Sequence, residues 1–338
     1  MRTRDAVMRM VQPVLTLGMA ATLSSGCRDA VPTAVSAPVG RALLDKAGDS
    51  SDVAYSALLD SINQSVRAGG AGYQISSAEI SVAFDSAGWQ GATTIVANDR
   101  THLVGSAFVA QDPRRGGRAD ITYLVDKSDG VAISRNPATF ALFLLPNAVT
   151  EPEIDASMHA WETGPSCHPP TVTKVPDSGA DPDVVDNLVL GTTPGTPFAD
   201  VTHAGWLPGG FFNLLTPGGG SFILGVTFTF VFVDASGVPT DIDHDGLADV
   251  AFREIYYNRG FAWTPDATNN VAVDIQSVSI HEAGHAFGLG HFGKVFIDND
   301  GAIKYAPKAI MNAVYVGADR EIRGTDNGSF CHLWANAP

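Results

Sequence analysis

The stretch SIHEAGHAFGLGH, residues 279 to 291, constrains this chain more than any other. Three of the nine histidines and one glutamate stand within eleven positions, among small and apolar neighbours. On a helix of ~3.6 residues per turn, His281 and His285 lie one above the other, so both can grip one ion. Glu282 borders that face, while Ile280, Ala283, Gly284 and Phe287 cover the opposite side and pack into the core. Gly288, three residues after the second histidine, ends the helix in a left-handed turn that returns His291 toward the other two. Three imidazoles leave the fourth position of a tetrahedral zinc ion open, which is the catalytic rather than the structural arrangement.

The rest of the chain must bury this helix. With 338 residues, 45% of them hydrophobic, it can build a sizeable core, and its 35 glycines and 20 prolines divide it into many short elements. Asp274 opens the histidine helix as its N-cap. EPEIDASMHAWE is a second helix, with Ile154, Met158 and Trp161 as its apolar stripe, and residues 326 to 335 form a last one. ADITYLVD, FILGVTFTFVFVD and LADVAFREIYYN are strands, rich in β-branched and aromatic residues. Strands gathered ahead of such a helix give an α+β domain, expected over residues 118–338. Before it, AEISVAF, ATTIVA and HLVGSAFVA alternate as strands do, so residues 28–117 read as a linker and a small β-rich N-terminal region or propeptide. DPRRGGR, at 112 to 118, ends that region either as a basic surface loop or as a processing site.

Arg2, Arg4 and Arg9 precede the apolar run VQPVLTLGMAATL, so residues 1–27 read as a signal peptide of an exported chain. Cys27 stands where bacterial lipoproteins carry their lipidated cysteine, which leaves two outcomes: a lipid anchor at the cell envelope, or ordinary cleavage and secretion. In either case Cys167 and Cys331 form a disulfide or stay as two buried thiols. The net charge of −15, with no Lys/Arg stripe, argues against nucleic acid. A protein or peptide partner remains, with a membrane touched only through the lipid, and a monomer is expected. In DIDHDGLAD, the residues Asp241, Asp243, Asp245 and Asp249 have the spacing of calcium ligands. Phe252 stands where an EF-hand needs Glu, so the loop is either a calcium site or a solvated acidic turn.

HEAGHAFGLGH resembles the H-E-x-x-H-x-x-G-x-x-H signature of the metzincin zinc peptidases. KAIMNAVY adds Met311, twenty residues after His291, at the place of that group's methionine turn. GHAFGLGH, the short gap to AIMN, and the segments IYYN, FAWTP and TDNGSFCHLW look most like the matrixin branch. The resemblance is specific over about 274 to 334. It implies a twisted, mostly parallel sheet, an active-site helix, a methionine turn with Met311 as a structural floor, and a C-terminal helix. It also implies zinc-dependent hydrolysis of peptide bonds, with Glu282 as general base. Ala313 stands where matrixins usually carry Pro, Tyr315 follows Met311 by four residues where astacin-like proteins have Tyr after two, and the cysteine switch of animal matrixin propeptides is absent. The alternative is a non-catalytic, zinc-containing surface binding or adhesion protein on the same fold, against which the retained Glu282 argues.

Overall fold

The computed structural model describes residues 50–83, 94–99, 103–191, 195–298 and 303–334. The chain enters through helix α1 (Ser50–Ala68) and strand β1 (Tyr73–Ala83), followed by β2 (Thr94–Asp99) and β3 (Ser106–Ala107). Next come β4 (Ile121–Val125), the hairpin β5 (Ala132–Arg135) and β6 (Leu142–Leu145), and α2 (Asn147–Thr163). The middle holds β7 (Val172–Lys174), α3 (Val185–Leu190), β8 (Val201–Leu207), α4 (Gly209–Leu215), and the long strands β9 (Ile223–Phe232) and β10 (Ala248–Asn258). The last part comprises β11 (Trp263–Thr264), β12 (Val273–Asp274), α5 (Ile275–Ala286), the hairpin β13 (Gly293–Ile297) and β14 (Ile303–Ala306), β15 (Val314–Tyr315) and α6 (Gly324–Trp334).

The main sheet has the order β15-β1-β9-β10-β8-β4-β7, with β3 set against β10. β9 runs antiparallel to β1 and to β10, and the remaining neighbours are parallel. The described residues thus form a mixed α and β structure with a mostly parallel sheet and six α-helices. β9 is buried from Ile223 through Val231 and β10 from Phe252 through Asn258. Burial on both faces is why these strands read as nearly continuous β-branched and aromatic runs.

Each face of the sheet has its own aromatic core. Phe211, Phe212, Phe228, Phe230, Phe252 and Tyr256 pack together with Ile62 and Val66 of α1 and Ile75 of β1. On the other face α2, α5 and α6 meet around Trp161, Phe287, Phe330 and Trp334, with Trp161 stacked on Phe330 at 5.4 Å. The expected stripe of α2, Ile154, Met158 and Trp161, is fully buried there. Cys167 and Cys331 are joined as a disulfide with their Cα atoms 5.6 Å apart, tying the segment after α2 to α6. No helix among the described residues is long and apolar enough to cross a membrane.

The boundary expected near residue 117 is not a structural one. β1 lies inside the main sheet between β15 and β9, and β2 pairs with β13, so the strands before residue 117 are built into the same body as those after it. DPRRGGR is mostly exposed, as a basic surface loop would be, but Asp112 and Arg115 anchor it inward. Arg115 is buried, its Nε donating to Asp200 Oδ1 at 2.8 Å, while Arg114 bridges Asp112 and Asp249. Alternation identifies a strand but not the sheet it joins. HLVGSAFVA yields only β3 and a bridge at Leu103, because Gly105 takes φ +77° and interrupts the run.

A chain beginning at residue 118 would lose β1 from the sheet interior and α1 from its face. It should show no cooperative unfolding transition in urea; a sharp transition with a slope scaled to its length would mean that residues 28–117 are a separable module after all.

Candidate metal centre

α5 is fixed at both ends before any histidine is considered. Asp274 caps it, Oδ1 accepting from Ser277 N at 2.8 Å, and Arg320 holds the same carboxylate at 2.5 Å. At the other end Gly288 adopts φ +96°, and Leu289 N donates back to Gly284 O at 3.0 Å, closing the helix as the sequence requires. A Cβ at 288 would lie 2.6 Å from Leu333 Cδ2, so both the backbone angle and the packing demand glycine.

The reversal brings His281, His285 and His291 together. Their Nε2 atoms are 3.0 Å (281 to 285), 3.1 Å (285 to 291) and 3.2 Å (281 to 291) apart. His281 Nδ1 donates to the carbonyl of Ile310, and His285 Nδ1 to that of Leu289, each at 2.7 Å. A carbonyl can only accept, so both tautomers are set and both Nε2 atoms present bare lone pairs to each other. Two such buried acceptors at this distance repel unless a cation lies between them. Ligands ~2.0–2.1 Å from one tetrahedral ion would be ~3.3–3.4 Å apart, close to the spacing found here. Burial lowers the imidazoles, His281 to about 4, His291 to about 3 and His285 well below its usual range, which keeps them neutral as metal ligands require.

Glu282 is fully buried beside them. Ser81 Oγ of β1 donates to its Oε1 at 2.5 Å, and Thr227 Oγ1 of β9 donates to its Oε2 at 2.7 Å. Burial pushes this carboxyl up to about 8, against the opposing pull of the two hydroxyls. Gly225 makes room for it, since a Cβ there would meet Oε1 at 2.7 Å. Behind the helix, buried Arg253 of β10 donates to the carbonyl of His285 and to Ser106 O at 3.1 Å. A cation at the C-terminal end of α5 also suits the helix dipole.

Met311 lies against the helix from the other side. Its backbone N and that of Ile310 both donate to the Asp326 carboxylate, at 3.1 and 3.0 Å, and a Cβ on Gly284 would come within 2.3 Å of its Sδ. A cavity of about 140 Å³ opens beside His281, lined by Ser81, Val278, Ile310, Val314 and Tyr315 among others.

Of the expected calcium ligands, Asp241, Asp243 and Asp249 come together, but Asp245 does not join them and instead accepts from Leu247 N. Asp249 already receives Arg114 Nη2 at 2.7 Å and Thr240 Oγ1 at 2.6 Å, so a guanidinium supplies positive charge where the ion was expected. Cys27 lies outside the described residues. The sequence reading missed Ser81, Thr227, Arg253 and Asp326, which reach the centre through the fold and not through any spacing. Arg253 carried a signal, being the one cation of a buried strand, where burial requires partners.

In chelator-treated protein the unfolded chain takes up imidazole protons near 6.5, whereas the native chain does so only near 4 or below. Stability should therefore be lost as the pH falls through this window. His285→Gln should make that slope shallower by up to ~1.4 kcal/mol per pH unit, read from urea denaturation between pH 4 and 6.5; an unchanged slope would mean that His285 titrates normally in the native protein.

No protein-family model matches this chain, and no curated protein matches it either.

Proposed function

We propose that this protein is an exported zinc-dependent endopeptidase of the metzincin type, similar to matrixins, acting on proteins or peptides. The observation that carries the reading is the convergence of three neutral imidazoles, two of them buried with their Nδ1 protons committed to carbonyls, next to a carboxyl with no cation paired to it among the described residues. His281, His285 and His291 would hold the ion, and Met311 beneath Gly284 matches the methionine floor of that group. When bound, zinc supplies a Lewis acid that polarises the scissile carbonyl and acidifies water.

The protein's own part falls to Glu282. As a water oxygen bonds to the carbonyl carbon, the carboxylate accepts the proton released, and it delivers a proton to the amine nitrogen as the C–N bond breaks. A carboxyl pushed up to about 8 is near a working pH, where it can both take and give that proton. Ser81 and Thr227 orient its two oxygens, and the cavity beside His281 suits one substrate side chain. We further propose that Cys27 either anchors the protein by a lipid at the cell envelope or is lost with the leader on secretion.

One observation favours the second reading, a non-catalytic zinc-containing surface binding protein. Ser81 belongs to β1 and encloses Glu282, so a peptide can meet the base only if the end of β1 draws aside.

Glu282→Gln should lower hydrolysis of a denatured protein substrate by ~10²–10⁴-fold while zinc content, measured by metal analysis, stays at the wild-type level. Undiminished turnover would overturn the role of Glu282. Chelator-sensitive cleavage by the wild type, including cleavage of N-terminally blocked peptides, is the endopeptidase result. Zinc at full stoichiometry without any cleavage is the binding-protein result.

A further inference from the structure

A second constellation lies away from the histidines. Asp126 and Asp129 follow β4, and Asp181 and Asp183 come from the segment between β7 and α3. One oxygen from each of the four carboxylates lies within 4.8 Å of the others. Asp183 has no solvent exposure and its Oδ2 has no hydrogen-bond partner; Asp129 Oδ2 is buried and unpartnered as well. Asp183 shares side-chain hydrogen bonds with Asp129 and Asp186, and a few donors reach the group. Ser128 N and Oγ donate to Asp126, and Asn187 Nδ2 to Asp181 and, at 3.3 Å, to Asp183 Oδ1. Among the described residues no Lys or Arg pairs with any of the four, the nearby Lys127 and Lys174 being spent on Glu151 and Asp155.

The two segments are clamped by their backbones. Gly195 N donates to Asp183 O at 2.8 Å and Trp206 N to Asp129 O at 2.7 Å. A Cβ on Gly205 would lie 2.4 Å from Asp129 Cβ, so β8 packs directly against the residue that carries this carboxylate. Asp186 and Glu254 add two more buried carboxyls nearby, and Glu254 is already occupied by Val184 N, Val185 N and Tyr256 Oη. Four carboxylates this close, with Asp126 and Asp183 buried and Asp129 partly so, need either protons or a cation between them.

We propose that Asp126, Asp129, Asp181 and Asp183 bind a hard divalent cation, calcium, at a site distinct from the three histidines. The donors are all oxygen, which suits calcium and not zinc, and four carboxylates leave room for the waters or carbonyls of a coordination shell of ~6–8 oxygens. The ion would pin the segment that leads into α3 onto the end of β4. This inference does not rest on the peptidase reading.

The test is titration of the metal-free full chain with calcium chloride alone, followed by calorimetry and by thermal unfolding. Saturable binding with a raised melting temperature is expected. Asp183→Asn and Asp129→Asn should each lose both responses, while Asp243→Asn, in the separate loop at 241 to 249, should keep them. Removing one of several crowded like charges should leave the metal-free melting temperature unchanged or higher, so a lost calcium response would not reflect misfolding. Should Asp183→Asn fail to fold, the less enclosed Asp129→Asn provides the reading. No saturable binding by the wild type, a calcium response that survives in Asp183→Asn and Asp129→Asn, or one lost only in Asp243→Asn would each overturn the proposal.

Discussion

The hydrogen bond from His285 Nδ1 to the carbonyl of Leu289 is the constraint on which the centre depends. That carbonyl is where it is because Gly288 reverses the chain at φ +96°, and the same reversal carries His291 back over the helix end. One backbone angle therefore sets a tautomer, the place of His291 and the end of α5 together. The carbonyl of His285 is used as well, by Arg253, so main chain and side chain of this residue are held from opposite directions. A side chain at 288 would disturb all of these and push on α6 through Leu333.

What the helix needs, the sheet supplies. A buried guanidinium is costly unless its donors are satisfied. Arg253 places its terminal nitrogens on His285 O, Ser106 O and Ser106 Oγ and stands 5.5 Å from the Phe108 ring centre, although its Nε has no partner. Burial lowers it to about 9, still protonated at neutral pH. The imidazoles are pushed the same way, but from a lower starting point, and so end in the neutral form that exposes lone pairs. Burial of one region thus yields a retained cation at the helix end and uncharged imidazoles in front of it. The difference lies in the intrinsic proton affinities of the two groups and not in separate surroundings.

Much of the centre was legible in the sequence because it is local. His281, His285, Gly288 and His291 are related by helix pitch and one turn, and Asp274 by the rule for N-caps; each is found where that arithmetic puts it. The stripe of α2 and the runs of β9 and β10 were legible for the same reason. α1 was missed although Leu58, Ile62 and Val66 repeat every four residues, a pattern that pointed to a helix with one buried face. What periodicity cannot give is partnership across the chain. Ser81 and Glu282 are separated by 201 positions, Arg253 and Ser106 by 147, and nothing in either neighbourhood names the other. The boundary expected near 117 does not hold for this reason: AEISVAF and ATTIVA are strands, but which sheet they enter is a non-local fact.

The fit around Glu282 shows how closely the early segment and the helix depend on each other. Its carboxyl is bounded by Ser81 from β1 on one side and by Gly225 and Thr227 from β9 on the other. Gly225 is as small as a residue can be and would collide with Oε1 if it were any larger. Ser81 is nearly as small, and its hydroxyl both fills the space and satisfies an oxygen that would otherwise be buried bare. An added module with no stake in the centre would place no such demand on residue 81. β1 instead contributes to three things at once: its backbone pairs with β9 and β15, its apolar side chains join the aromatic core below, and its hydroxyl completes the shell of Glu282.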